Sequence, residues 1–571
     1  MKILKKEAGF SLIEVLLASA MFVVIVSSIA GAMIYGLQGS VISGTKTRAS
    51  YLAEEGIEAT RNIRDNDFAN LVDGPHGITI SSNTWAFSGT YDTVDSFTRQ
   101  IDVTTIDVHT KRVDSTVSWQ ATPTQTDSLT VTTYLTNWRR SVGRGGMLVY
   151  ADLSGEDDTI RYKLLDANGS WGPEQTVPDI NVPGNKDTRR VELYSSPSGN
   201  EKILITKHCE WSLFEDGQHF YAQVWDGSSW GNLVKLTSYW VNINPQTKNF
   251  DGDFMINGNF IVIYDDFTNM IKYRLWDGTN WSGAMDTVDT GGLPVWAIVR
   301  NRPGNQEAMV VIRDGSEDTN TFYWTGSSWT PATEHGTDNT SFSGENISFA
   351  WSPNNPTFGA LMFNESNNAN PNIKIWNGTA WSESTEPSIG GRSLSYKIIA
   401  RPHFDEFLAC TKDNSKDINC VKSDFTPIYT PLTNGEVATN TDDGGQISFD
   451  LGYESISGDT AVVVYSNGAD ATARIIPKYR TYNAGTSSFS TEMNLPALGP
   501  SSDSSLESAR VIPDPNSNDM MVLMGASDQD VWSVIWNGST NQFYTTGDQG
   551  PVEHGTSGSD DLDHWYDFEW D

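Results

Sequence analysis

The chain has 571 residues, a net charge of −34 and only 3 Cys. That length exceeds one domain, and the many Gly (49) and Trp (20) at modest charge suit a β-rich extracellular protein with many turns. Residues 1–140 hold 12 Lys/Arg and 14 Asp/Glu while the remainder holds 26 and 58, and a part so negative repels phosphate backbones, which sets direct nucleic-acid binding aside.

The chain opens MKILKKEAGFSLIEVLLASAMFVVIVSSIAGAMIYG. From Phe10 to Gly36 almost every residue is apolar or small, and the one ionised side chain is Glu14. A signal peptide or plain membrane anchor accounts for the basic Lys2, Lys5 and Lys6 and for the apolar run, but not for the acid. A carboxylate in hydrocarbon costs a few kcal/mol and asks for a positive partner. Cleavage between Gly9 and Phe10 would supply one, a new α-amine four residues before Glu14.

The residues GFSLIEV, Gly9 to Val15, resemble the type IV pilin leader motif, with its basic leader ending in Gly, its aromatic first mature residue and Glu as the fifth. The resemblance implies that a prepilin peptidase cuts after Gly9 and methylates Phe10. It also implies that Glu14 pairs with an N-terminal amine inside a filament core. An opposite charge within reach in a low-dielectric layer keeps both groups ionised and sets axial register. The partners so implied are other pilin subunits through the N-terminal helix, the peptidase and the assembly platform. The helix would sit in the cytoplasmic membrane as a single span before assembly, and at the cell surface or in an extracellular pilus afterwards.

The helical pattern continues. In TRASYLAEEGIEATRNIR, Leu52, Gly56, Ala59 and Ile63 recur at helical spacing between Glu54, Glu55 and Glu58. A helix from Phe10 to Arg64 would run roughly 80 Å at 1.5 Å per residue, ordinary for a pilin stem. Gly31, Gly36, Gly39 and Gly44 weaken it, either to permit local melting on assembly or to let helices pack closely. Residues 65–140 switch to strands, among them GITIS, TWAFSG, FTRQIDVTTID, DSTVSWQA and SLTVTTYLTNWR. Leader (1–9), stem helix (10–64) and antiparallel sheet (65–140) together make an α+β, pilin-like unit. A short joint follows at 141–146, SVGRGG.

In residues 147–571 a phrase recurs: ANGSW ending at Trp171, WDGSSW at Trp230, WDGTNW at Trp281, WTGSSW at Trp329, WNGTAW at Trp381, YNAGTSSF at Phe489 and WNGSTNQF at Phe543. The gaps are 59, 51, 48, 52, 108 and 54 residues, so the 108 hides a degraded copy around Cys410–Thr433. A D/N-G turn between aromatic strands signals a hairpin, and four short strands per unit suggest propeller blades. EHGTDNTSFSGENISFAW, ending at Trp351, is matched by EHGTSGSDDLDHWYDFEW, ending at Trp570. The second copy lacks a following blade, and the first blade, starting at Met147, lacks an opening strand. The expectation is an all-β, eight-bladed propeller whose first blade is closed by the C-terminal strand; seven blades or an open solenoid are the alternatives. Trp171, Trp230, Trp281, Trp329, Trp381, Phe489 and Phe543 are read as core aromatics rather than ligand platforms. Trp-rich blades resemble sugar-binding propeller lectins, but the recurring Arg/Glu pair of those lectins is missing.

Cys410 and Cys420 flank a hairpin centred on Ser415, where a cross-strand disulfide fits, and Cys209 is left over as a buried small hydrophobe. No nucleophile elbow, zincin or C-x-x-C motif is present, so no catalytic residue is assigned and the chain is read as not an enzyme. His335 and His554 fall in the matched phrase and are read as structural. No cofactor and no metal ligand is assigned; acids such as Glu156-Asp157-Asp158, Asp251/Asp253, Asp442-Asp443 and Asp560-Asp561-Asp563 are where calcium would bind, though none matches an EF-hand loop. The expected function is that of a minor, tip-located or sparsely inserted pilin-like subunit displaying a propeller that binds a surface, a glycan or a protein on a partner cell. The alternatives are a pseudopilin of a secretion machine and, more distantly, a propeller-hosted hydrolase.

Overall fold

The computed structural model describes residues 11–571 except 67–69, 82–83, 108–109, 123, 137–144, 153–158, 181, 183–185, 198–199, 211–216, 241–246, 269, 337–344, 365–369, 384, 388, 390–392, 427–428, 440, 442–448, 467–476, 497–505, 527–529 and 556–563. The chain divides into two compact units, Met1–Arg140 and Ser141–Asp571.

In the first unit one helix runs unbroken over Leu12–Asn66. Its most apolar window has a mean hydropathy of 2.5 and none of it is buried, so the helix is long and apolar enough to cross a membrane or act as a signal sequence. Burial begins only at Ala49. From there Ala49, Ala53, Ile57 and Ile63 pack on a six-stranded antiparallel sheet through Phe97, Ile101, Val103, Val113, Val117 and Leu135. Gly56 faces that sheet where a Cβ would lie 2.4 Å from Ser115 Oγ and 2.7 Å from Ile101 Cδ1. The missing side chain therefore sets how closely helix and sheet approach. Arg99, buried beneath the helix, reaches Glu55 on it and Asp92 beside it, both at 2.8 Å.

The second unit is all-β, built of small, mostly four-stranded antiparallel sheets in chain order, and is propeller-like. Most of its sheets are simple meanders, such as Phe250–Phe254, Phe260–Tyr264, Met270–Trp276 and Met285–Asp289. The recurring phrase is the turn into the outer strand. The Asp277 carboxylate accepts the N–H groups of Thr279 and Asn280 (2.8 and 2.7 Å), and Gly278 takes φ +88. Only glycine adopts that conformation without strain. Asp226 and Gly227 (φ +95) and Asn377 and Gly378 (φ +97) do the same. The aromatics on either side then face each other across the hairpin, as Trp276 with Trp281 (5.4 Å) and Trp376 with Trp381 (5.4 Å). The region around Cys410–Thr433 forms such a sheet without the phrase, Ser393–Ala400, Phe407–Asp413, Ile418–Ser423 and Thr430–Ala438. The C-terminal strand Tyr566–Trp570 pairs antiparallel with Gly146–Asp152, from Tyr566 opposite Tyr150 to Trp570 opposite Gly146.

The opening strands of successive sheets lie against one another, Phe250–Phe254 against Pro294–Asn301, Ile347–Trp351 against Ser393–Ala400, Phe449–Tyr453 against Leu506–Pro513, and Tyr566–Trp570 against Lys186–Ser195.

Candidate functional site

At the start of the helix Ser11 and Glu14 cap one another. The Ser11 N–H donates to Glu14 Oε2 at 2.9 Å and the Glu14 N–H to Ser11 Oγ at 3.4 Å, the reciprocal arrangement of a capping box. The acid thus has a local role, satisfying an N–H that the first turn leaves open. Gly9 and Phe10 lie outside the described residues.

Of the repeat aromatics, Phe489 and Phe543 are buried, while Trp171, Trp230, Trp281, Trp329 and Trp381 are partly buried, packed on the edges of the apolar clusters. Cys410 and Cys420 face each other across the hairpin in a disulfide, and Cys209 is buried outside any disulfide. Among the proposed calcium-binding acids only Asp251 and Asp253 are described. Both are already bonded: Asp251 accepts the Tyr194 hydroxyl (2.7 Å) and the Val299 N–H (2.8 Å), and Asp253 the Asn301 N–H (2.7 Å). Among the described residues no group of three or more His, Cys, Asp or Glu is arranged to hold a metal.

Asp251 belongs to a recurring set of bonds between the opening strands. The opening strands line a cavity of about 510 Å³. At four junctions the same bond recurs: an inward side chain on one opening strand accepts an N–H from the next. Asp567 accepts from Leu193, Asp251 from Val299, and Asp450 from Val511, each at 2.8 Å, and Ser348 accepts from Ile398 at 2.9 Å. At three of the four intervening junctions a cation bridges instead. Lys248 lies 3.1 Å from Asp251 and 3.7 Å from Glu192; Lys397 lies 2.7 Å from Glu345 and 3.3 Å from Asp450; Arg510 lies 2.7 Å from Asp567 and 3.7 Å from Glu192. The arrangement repeats every second sheet. Its sequence signal is FDGDF at 250–254, FDLGY at 449–453 and YDFEW at 566–570, an aromatic, an Asp and a second aromatic three residues on. Attention to the hairpin phrase alone passes over it.

The electrostatics follow from burial and partner supply. Burial opposes the charge on Glu192, but Lys248, Arg510 and Arg190 together hold its carboxyl low. Burial pushes Asp253 up to about 6, and burial with the nearby Asp567 pushes Glu569 up to about 8. Burial and the surrounding Arg190, Arg510, Lys397 and Lys248 hold His564 well below the usual imidazole range, so it is neutral. The cavity is a mixed-charge chamber able to orient a small polar ligand.

No protein-family model matches the chain, and no curated protein matches its sequence. Solved structures are similar to it in fold. The dihydro-heme d1 dehydrogenase NirN aligns over 72% of this chain and 73% of its own at 12% identity and a TM-score of 0.44. The periplasmic gluconolactonase of Pseudomonas aeruginosa aligns over 61% and 95% at 9% identity and a TM-score of 0.34. The Aleuria aurantia lectin aligns over 53% and 96% at 14% identity and a TM-score of 0.28. Two of these three are enzymes, which corrects the expectation that the chain is not an enzyme. A missing sequence motif is no ground for that reading when similar folds house enzymes and lectins alike.

Proposed function

We propose that this chain is a minor type IV pilin-like subunit, tip-located or sparsely inserted, that displays its β domain for recognition of a surface, a glycan or a partner cell. The observation that carries the reading is the helix. It carries a lone acid, Glu14, in its first turn, is apolar or small on all sides from there to Gly36, and packs on its own sheet only from Ala49 onward. A surface of that kind is stable only in lipid or among other helices. Cleavage at Gly9–Phe10 and methylation of Phe10 follow from the resemblance of the leader, and Glu14 would then serve an N-terminal amine as well as its own helix cap. The helix would lie in the cytoplasmic membrane before assembly and in a filament core afterwards.

The β domain is read as an eight-bladed propeller closed by Tyr566–Trp570. The strand pairing with Gly146–Asp152 and the recurring contacts between opening strands support this count. A domain of this bulk on every subunit would crowd a filament, which favours sparse insertion. A pseudopilin of a secretion machine is the second reading, since the same helix would serve it.

The test separates capping from charge. Glu14→Gln keeps a capping side chain but loses the charge. Mass spectrometry of the exported protein should find N-methyl-Phe10 as the first residue, and Glu14→Gln should be processed but fail to enter sheared filaments. Retention of residues 1–9, or normal assembly of Glu14→Gln, refutes the pilin reading.

A further inference from the structure

The cations of the cavity differ in how fully they are used. Lys248, Lys397 and Arg510 each stand between two carboxylates, with 12%, 16% and 24% of the side chain exposed. Arg300 is different. It meets one carboxylate, Asp251, at 3.2 Å through Nη1, and the same nitrogen donates to the Val299 carbonyl at 2.8 Å. Its Nε and Nη2 make no hydrogen bond among the described residues, and 44% of the side chain is open although it lines the cavity. Next to it the Asn301 Oδ1 is buried and has no partner among the described residues. Pro303, Pro402 and Pro513 add apolar wall to the same cavity.

We propose that this cavity binds a hydroxylated monocarboxylate, a uronic acid unit of an acidic polysaccharide, with its carboxylate on the open edge of Arg300 and a ring hydroxyl on Asn301. This rests on reading the β domain as a recognition module and names what it recognises. A guanidinium fork offers parallel N–H groups that match the two oxygens of a carboxylate. A doubly charged phosphate would meet the acids lining the same cavity, Glu192, Glu345 and Asp450, with nothing to offset its second charge, because the other three cations are committed. A neutral hexose would accept from Arg300 only through hydroxyl oxygens, without the charge-assisted, two-pronged bonds that a carboxylate makes. The Asn301 Oδ1 only accepts, and a ring hydroxyl can donate to it. The volume of about 510 Å³ falls within the roughly 300–1,000 Å³ usual for small-molecule sites.

The test uses the full chain in detergent micelles, titrated calorimetrically with D-galacturonate, D-glucuronate, D-glucose and the methyl ester of galacturonate. At least one uronate should bind, and glucose and the ester should not. Arg300→Gln should weaken the uronate at least tenfold, and Asn301→Asp, which adds a negative charge at the same volume, should weaken it as well. If neither uronate binds, if the ester or glucose binds as well as the acid, or if Arg300→Gln binds unchanged, the proposal is overturned. The ester arm uses wild-type protein, so a misfolded variant cannot mask the outcome. Failure here is distinct from failure of the pilin reading: Glu14→Gln should lose filament assembly while keeping uronate binding, and Arg300→Gln should do the reverse.

Discussion

The imidazole of His554 lies 4.4 Å from the indole of Trp171, edge to face at 69°, with its Nε2 2.6 Å from Ser533 Oγ. His335 and Trp381 repeat the pair at 4.8 Å and 77°, with Thr321 Oγ1 at 2.8 Å from the ring. Each Trp ends a hairpin phrase, and each His stands in an E-H-G-T segment. The two histidines therefore seat the edge aromatics of two sheets.

Burial pushes both imidazoles down to about 3. Since the unfolded value is about 6.5, the unfolded chain binds more protons between those limits. Their contribution is complete above about pH 6.5 and is lost as pH falls toward 3. Chemical denaturation from pH 7 to pH 4 should show this loss, and the double variant His335→Gln/His554→Gln should flatten it. At pH 7 each substitution should cost about 1 kcal/mol, from the weakened aromatic contact and hydroxyl bond.

Glu569 acts in the opposite sense. Its carboxyl is pushed up to about 8 by burial and by Asp567, so the folded state holds its proton where the unfolded chain has released it. Stability is complete below about pH 4.5 and declines as pH rises through 8. Glu569→Gln should stabilise the β domain at pH 8.5 by roughly 1–3 kcal/mol and change little at pH 4.5. Equal effects at both pH values would contradict a titrating carboxyl.

Gly56 has no room for a Cβ against Ser115 and Ile101. Gly56→Leu should force helix and sheet apart and lower the stability of the first unit by about 1–3 kcal/mol or more. Gly36→Leu, at a position with nothing within 4 Å, should not lower stability in circular dichroism melts, since removing a helix glycine favours the helix.

The Cys410–Cys420 disulfide closes a loop with a sequence separation of 10. A loop of that length implies about 2–3 kcal/mol from restriction of the unfolded chain. Reductant, or the Cys410→Ser/Cys420→Ser double variant, should lower the free energy of unfolding by that amount in chemical denaturation. A reductant effect persisting in that double variant would place the loss elsewhere.

The residues that decide local backbone shape were legible in the chain. The long helix follows from an apolar run without a breaker. The hairpins follow from an Asx that bonds its own turn and a Gly at positive φ, interactions spanning a few residues. S-x-x-E at Ser11–Glu14 carries the capping signature as openly as it carries the leader motif, and its spacing alone does not separate the two roles. The cavity was a matter of tertiary structure. Its bonds join opening strands about fifty residues apart, as Asp251 to Val299 or Asp450 to Val511, and its charges are balanced only when those strands stand side by side. Whether a lysine or arginine is shared between two carboxylates or left half free, as Arg300 is, depends on distances that no sequence period encodes, because side-chain reach and burial are set by the packed strands rather than by neighbours along the chain.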